Sequence, residues 1–331
     1  MKNKGRENVF SQQQKNAERC FIFFVMINSI ITFGVIGGIL ISVNGYIKGI
    51  FNTYSSVTCC GSICLNCLFS INTLCMVFSF TCVFVFFAGI GSALYKAFLL
   101  FTINRKMFRS FKMSSFVNYP NGKEMLKKFP YKSYPLYVSR ERLLHAFTFG
   151  IFRPKICVSS DMFSYLTRKE LQAVILHEAH HLKDRAPLRC AIMQIFCALN
   201  FFLPLNNYLV SLYKTYSEKA ADDAALQFLN EPLEMASALI KLSRYNTKNI
   251  MQIAVTPFSG EQQIWEDRIR RLIEPEISSS PGYRLFVIPR YLIFLSLFFV
   301  SIIFLSVFSK TYVLNDKDGC KENSCHVVVC K

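Results

Sequence analysis

The chain of 331 residues is 52% hydrophobic and 15% aromatic, and it carries a formal net charge of +17. The apolar residues gather in long uncharged runs. The basic residues are scattered and no nucleic-acid recognition module accompanies them, so nucleic-acid binding is set aside in favour of anionic lipid at an inner membrane leaflet as the partner of that charge.

A basic tail over residues 1–19 holds Lys2, Lys4, Arg6, Lys15 and Arg19. Cys20 to Val43 is the first uncharged apolar run, Leu68 to Leu94 the second and Tyr291 to Ser309 the third. Each exceeds the roughly 18 residues that cross about 30 Å of hydrocarbon, so three transmembrane helices are expected. The first run is too long for a signal-peptide core and lacks a small-residue cleavage site, so it reads as a retained anchor. The intervening loop over 44–67 carries only Lys48, whereas Lys96, Arg105, Lys106, Arg109, Lys112, Lys123, Lys127 and Lys128 follow the second run. Positive charge stays inside. The N-terminus and residues 96–290 are therefore expected in the cytoplasm, and the tail over 310–331 outside.

Seven of the thirteen cysteines fall in the two outer segments: Cys59, Cys60, Cys64, Cys67, Cys320, Cys325 and Cys330. Oxidising conditions there favour disulfides, although an odd count leaves the pairing open. Cys64-x-x-Cys67 has the spacing of half a metal site but no matching second pair.

Within 96–290 the first signal is a turn at Pro120-Asn121-Gly122. Short strands are expected at Pro135 to Ser139, Ala146 to Phe149 and Lys155 to Val158, the last two joined by a turn from Gly150 to Pro154. The Lys155 to Val158 strand is expected to offer an edge on which an extended peptide can pair. Thr167 and Glu170 have capping-box spacing and should open a helix with Leu171, Val174, Ile175 and Leu182 facing a core. That helix runs into His177-Glu178-Ala179-His180-His181, an H-E-x-x-H motif. Residues four apart share a helix face, so His177 and His181 can hold one zinc ion, with Glu178 reaching the water it activates. Water-dependent peptide hydrolysis is the chemistry this spacing suits: zinc lowers the pKa of water towards about 7, and Glu178 takes its proton and passes it to the leaving amine.

Leu188 to Leu212 is apolar enough to pass for one more crossing. A third zinc ligand must return to the side of the two histidines, however, and Pro204, Asn206 and Asn207 interrupt the run. Two antiparallel helices, about 188–202 and 206–228, are expected as a hairpin against or dipping into the membrane. The returning helix carries Ser217 to Asp222, where Glu218 is available as third ligand and Asp222, one turn on, can accept the other ring N–H of a ligand histidine. His180 and His145 are accessory candidates, His180 for the metal and His145 for an oxyanion. From Glu231 to Ile273 the pattern is helical, with Trp265 and Ile269 at i, i+4 spacing.

Three stretches, AFTFGIFRPKI from Ala146, LTRKELQAVILHE from Leu166 and PLR from Pro187, resemble the BlaR/MecR-type membrane metallopeptidases. In that family a Gly-x-x-x-Pro-x-Ile segment precedes H-E-x-x-H, and Glu-x-x-x-Asp follows an apolar hairpin. The matching residues here are Gly150, Pro154, Ile156, His177, Glu178, His181, Glu218 and Asp222. The resemblance is good over about 134–275. It implies a mainly α membrane protein: three spans, a membrane-associated hairpin, and a cytoplasmic gluzincin-like zinc protease domain with a small β-sheet. It further implies cleavage of a cytoplasmic protein, often a winged-helix repressor. Two departures stand out. Ala186 lies where the family usually has Asp, with Asp184 two residues earlier, and only about twenty residues follow the last run, too few for the outer penicillin-binding domain of the β-lactam sensors. The heat-shock HtpX type of membrane protease is similar too, sharing H-E-x-x-H and Glu-x-x-Ala-Asp.

Three function classes follow. They are a regulatory protease acting on a repressor or on itself, a quality-control protease of membrane proteins, and a non-enzymatic scaffold with a relic motif. Retention of both Glu178 and Glu218 argues against the relic. The expected partners are a cytoplasmic protein substrate and the lipid membrane, and a homo-oligomer is compatible with the pattern.

Overall fold

The computed structural model describes residues 2–57, 73–110, 113–115, 135–139, 144–250 and 259–273. Helices dominate. α1 (Lys2–Val57) and α2 (Thr73–Ser110) are long and continuous. Within them Gln12–Leu40 and Val83–Met107 are long and apolar enough to cross a membrane. Both helices overrun the expected spans: residues 44–57, expected as loop, continue α1, and α2 runs through Lys96 to Ser110. An apolar run reports hydrocarbon thickness and not helix ends, and neither overrun contains a proline to break it. The third expected span, the seven outer cysteines, the outer tail and the Pro120-Asn121-Gly122 turn lie outside the described residues.

The chain forms two compact units, residues 1–26 with 93–282 and residues 27–92 with 283–331. Among the described residues, the second unit holds only segments of α1 and α2. Everything below belongs to the first.

Four strands, β1 (Met113–Ser115), β2 (Leu136–Ser139), β3 (Ala146–Phe149) and β4 (Lys155–Ser159), form one sheet in the order β1-β2-β4-β3. β2 and β4 are parallel and the other pairings antiparallel. β1 was not anticipated. The expectation of an edge at Lys155 to Val158 is corrected, because β4 is paired on both sides and β1 and β3 are the outer strands among the described residues. The physical reason lies in the residues: Ile156, Cys157 and Val158 are consecutive and all buried, the run of a strand covered on both faces. The β3–β4 turn begins at Gly150 with φ +98°, and a Cβ there would stand 2.5 Å from the Arg153 carbonyl oxygen. Only glycine suits both demands.

A single turn, α3 (Met162–Tyr165), leads to α4 (Arg168–Lys183). Thr167 Oγ1 accepts from the Glu170 backbone N–H while Glu170 Oε2 accepts from the Thr167 N–H, so the capping box is complete. α4 is the central helix. Leu171, Val174, Ile175, Leu176 and Leu182 share one core with Val138, Ile156 and Val158 of the sheet and with Ala238 and Leu242. It ends at Asp184, and Arg185 takes the left-handed conformation at φ 52°. Pro187 sits in the first turn of α5 (Ala186–Leu199).

The apolar run is broken as expected. α5 ends at Asn200, Pro204 caps α6 (Leu205–Leu229), and Asn206 Nδ2 donates to the Asn200 carbonyl across the turn. α1 lies along this hairpin, with Phe21 against Tyr213, Phe24 against Phe196, and the Cys20 thiol 3.5 Å from the Leu209 carbonyl oxygen. At the α4–α5 junction Asp184 Oδ1 accepts from Gln14 of α1 and pairs with Arg189 of α5. The helix-end contact is thus made by Asp184, while Ala186 is buried. α7 (Pro232–Ile250) and α8 (Ser259–Ile273) complete the unit, burying Met235, Leu239 and Leu272 against Ala173 of α4.

Candidate metal centre

The second half of α4 presents His177 and His181 on one face, with their Nε2 atoms 3.1 Å apart. α6 returns from the hairpin beside them, and each histidine Nε2 is 3.4 Å from one oxygen of Glu218. One donor atom from each of His177, His181 and Glu218 can be chosen so that all lie within 4.8 Å of one another. Ligands at about 2.0–2.1 Å from a tetrahedral zinc stand roughly 3.3–3.4 Å apart, which is the spacing of these pairs. The donor set therefore fits a zinc ion.

The outer contacts prepare that arrangement. His177 Nδ1 is 2.9 Å from Asp222 Oδ1, which orients the ring with Nδ1 on that carboxylate and Nε2 facing Glu218. His177, Glu178 and Asp222 are all buried. Burial opposes a charge on His177, but the contacts with Asp222 and Glu218 outweigh it and lift the pKa to about 9. Burial likewise favours neutral carboxyls. Even so, the histidines and Arg268 hold Glu218 well below the usual carboxylate range, and Arg268 with His177 brings Asp222 to about 2. The pocket thus keeps its carboxylates ionised and attracts a positive charge to the point between the histidines.

Glu178, the next residue on α4, turns towards the sheet. Thr148 Oγ1 of β3 lies 2.9 Å from Glu178 Oε2 and 2.9 Å from the Glu178 carbonyl oxygen. A base held by one oxygen has the other for a proton. A cavity of about 160 Å³ opens at the end of β3, lined among others by Phe149, Gly150, Ile151, Met107, Pro187 and Gln194.

The structure brings together His177, His181 and Glu218, with Asp222 on His177, while the Glu178 carboxylate is held at Thr148. His180, the spare histidine, is not among the grouped donors; burial and the neighbouring positive groups drop its pKa to about 3, which keeps it neutral. His145 lies just before β3, its backbone N–H donating to Ser159 Oγ and its ring beside Phe147. Two participants were missed. Thr148 is one: its inward register, opposite Ile156, is readable only once the strand pairing is known. Arg268 of α8 is the other. Its Nε and Nη2 meet Asp222 Oδ2 and Oδ1 at 2.8 and 2.7 Å, and its Nη1 meets Glu218 Oε2 at 2.7 Å. A signal for it existed, since Arg268 follows Trp265 by three and precedes Leu272 by four, on the stripe that should face the core.

The family pattern described as BlaR1 peptidase M56 matches residues 71–272. The regulatory protein BlaR1 of Bacillus licheniformis is 27% identical to the chain over 145 residues, which cover 43% of the chain and 24% of that relative. The match thus spans about a quarter of the relative's length.

Proposed function

The chain belongs to the BlaR1 peptidase M56 family, a family of metallopeptidases, and on that premise we propose that it is a zinc-dependent endopeptidase of the membrane, cleaving a cytoplasmic protein in signal-dependent regulation. The observation that carries this reading is the convergence of His177, His181 and Glu218, with Glu178 next to His177 on the same helix.

In this reading His177, His181 and Glu218 hold the metal and Asp222 orients His177. Zinc, when bound, acidifies water and polarises a carbonyl. Glu178 takes the proton of the attacking water on the carboxylate oxygen that Thr148 leaves available, then returns it to the departing amine. The outer strand β3 receives the substrate as an extended segment, its backbone running past Thr148, and the cavity at Phe149 and Gly150 accepts a substrate side chain. A gluzincin-like peptidase region over 96–290 then faces the cytoplasm, with the hairpin of α5 and α6 at the membrane, a third span at 291–309 and the tail outside. The substrate is a transcriptional repressor or the chain itself, and the relative's description as a regulatory protein supports regulation.

The test is purified full chain, wild type against Glu178→Ala, assayed for zinc content and for cleavage of casein and of itself. Retained zinc in both with cleavage lost in the variant is expected. Equal cleavage by both, or neither zinc nor cleavage in the wild type, overturns the reading.

A further inference from the structure

A buried cation of α8, Arg268, touches both Glu218 and the Asp222 that contacts His177. α8 meets α6 through a charged face: Arg268 with Asp222 and Glu218, Arg271 with Asp223, and the Arg271 Nη1 group with the Lys219 carbonyl oxygen. Among the described residues of α8, Arg268 is the one that reaches the grouped donors. Its side chain is 5% exposed and its three nitrogens engage three carboxylate oxygens.

From this geometry we infer that Arg268 is the positioning residue of the metal centre, setting two ligands at once from a helix that contributes none among the described residues. The inference rests on the zinc-peptidase reading above. Its grip on Glu218 is direct: with Nη1 on Oε2, the carboxylate cannot rotate freely, so Oε1 stays 3.4 Å from His181 Nε2 and Oε2 stays 3.4 Å from His177 Nε2. Its grip on His177 runs through Asp222, whose Oδ1 lies 2.7 Å from Arg268 Nη2 and 2.9 Å from His177 Nδ1. Two aligned nitrogens on Asp222 fix the plane of that carboxylate, and the plane fixes the imidazole. A planar fork is required for this: an ammonium in the same place can meet one carboxylate but cannot hold both in register. The guanidinium also offsets the charge of the buried Asp222 and the half-buried Glu218, which would otherwise repel, so the donors stay gathered. α8 thereby becomes part of the site, although it follows Glu218 by some forty residues in the chain.

The experiment uses the full-length protein in detergent with Arg268→Gln, Arg268→Lys and Arg271→Gln. Zinc affinity is read by chelator competition, the visible spectrum of the cobalt-substituted protein reports ligand geometry, and thermal unfolding and circular dichroism report the fold. Arg268→Gln should lose about 10- to 100-fold in zinc affinity and change the cobalt spectrum. Arg268→Lys should recover folding but only part of the affinity. Arg271→Gln, which removes the neighbouring pair on the same helix, should lower the melting temperature and leave zinc affinity and the cobalt spectrum as in the wild type. Wild-type affinity and spectrum in Arg268→Gln, or in a folded Arg268→Lys where Arg268→Gln does not fold, overturn the assignment. So does an equal loss in Arg271→Gln, which would make the effect one of α8 docking. A wild-type protein that binds neither zinc nor cobalt refutes the peptidase reading instead.

Discussion

The two ends of α4 each bury a carboxylate network, and the networks are built differently. At the N-terminal end Glu170 is closed: its oxygens accept from the Thr167 N–H at 2.8 Å, Ser237 Oγ at 2.5 Å and Lys241 Nζ at 2.8 Å. One anion meets one cation and two neutral donors, and no donor atom is left pointing at another of its kind. At the C-terminal end two imidazole nitrogens face each other at 3.1 Å with a carboxylate across from both. That convergence gathers three atoms able to donate a lone pair to one metal ion. A closed network ties α4 to α7; an open one asks for a ligand. The same helix thus separates stability from chemistry by about two turns.

Substitutions should fall on one side or the other. The largest effect is expected from His181→Ala, which removes a donor from the open network: cleavage should drop to background and zinc should no longer co-purify, while circular dichroism stays that of the wild type. If the variant unfolds instead, the histidine belongs to the stabilising class and the contrast breaks. Thr148→Val removes only the hydroxyl that steadies Glu178. Turnover should fall about tenfold with zinc affinity unchanged, and Thr148→Ser should restore it, as measured by steady-state kinetics beside chelator competition. Glu170→Gln acts on the closed end and should cost about 1–3 kcal/mol of stability in denaturant unfolding, with metal affinity preserved.

The closed end also predicts a pH dependence. Burial favours a neutral Glu170, but Lys241, Ser237 and the Thr167 N–H outweigh it and lower its pKa. A lowered folded-state pKa means stability that is fully present above the ordinary carboxylate value and is lost as pH falls through the folded value. Glu170→Gln should therefore flatten the acid side of the stability profile, and an unchanged slope would place the acid sensitivity elsewhere.

What the sequence disclosed and what it hid follow the same division by range. Local signals were legible. Thr167 and Glu170 announced the start of α4, the i, i+4 histidines announced one face of it, and Pro204 with Asn206 announced the turn between α5 and α6. Each depends on residues within a turn or two. The partners of those residues depend on contacts far along the chain. Arg268 lies 46 residues from Asp222 and its role appears only when α8 folds back on α6. Thr148 meets Glu178 across 30 residues and through a strand register. The choice of β4 as the edge failed for the same reason, since an edge is a property of the whole sheet. β1, three residues long, has no periodicity to read. α1 and α2 extend beyond the apolar runs because hydropathy describes the solvent around a helix and not the hydrogen bonds within it.

The central claim is that the open end of α4 holds zinc on two histidines and a carboxylate. X-ray absorption at the zinc K-edge on the purified full chain addresses it most directly, because thirteen cysteines supply an alternative set of donors. The account predicts one zinc per chain with two imidazoles and further oxygen or nitrogen neighbours at about 2.0–2.2 Å, and no sulfur. Sulfur scatterers at about 2.3 Å, or a chain that holds no zinc, would contradict it.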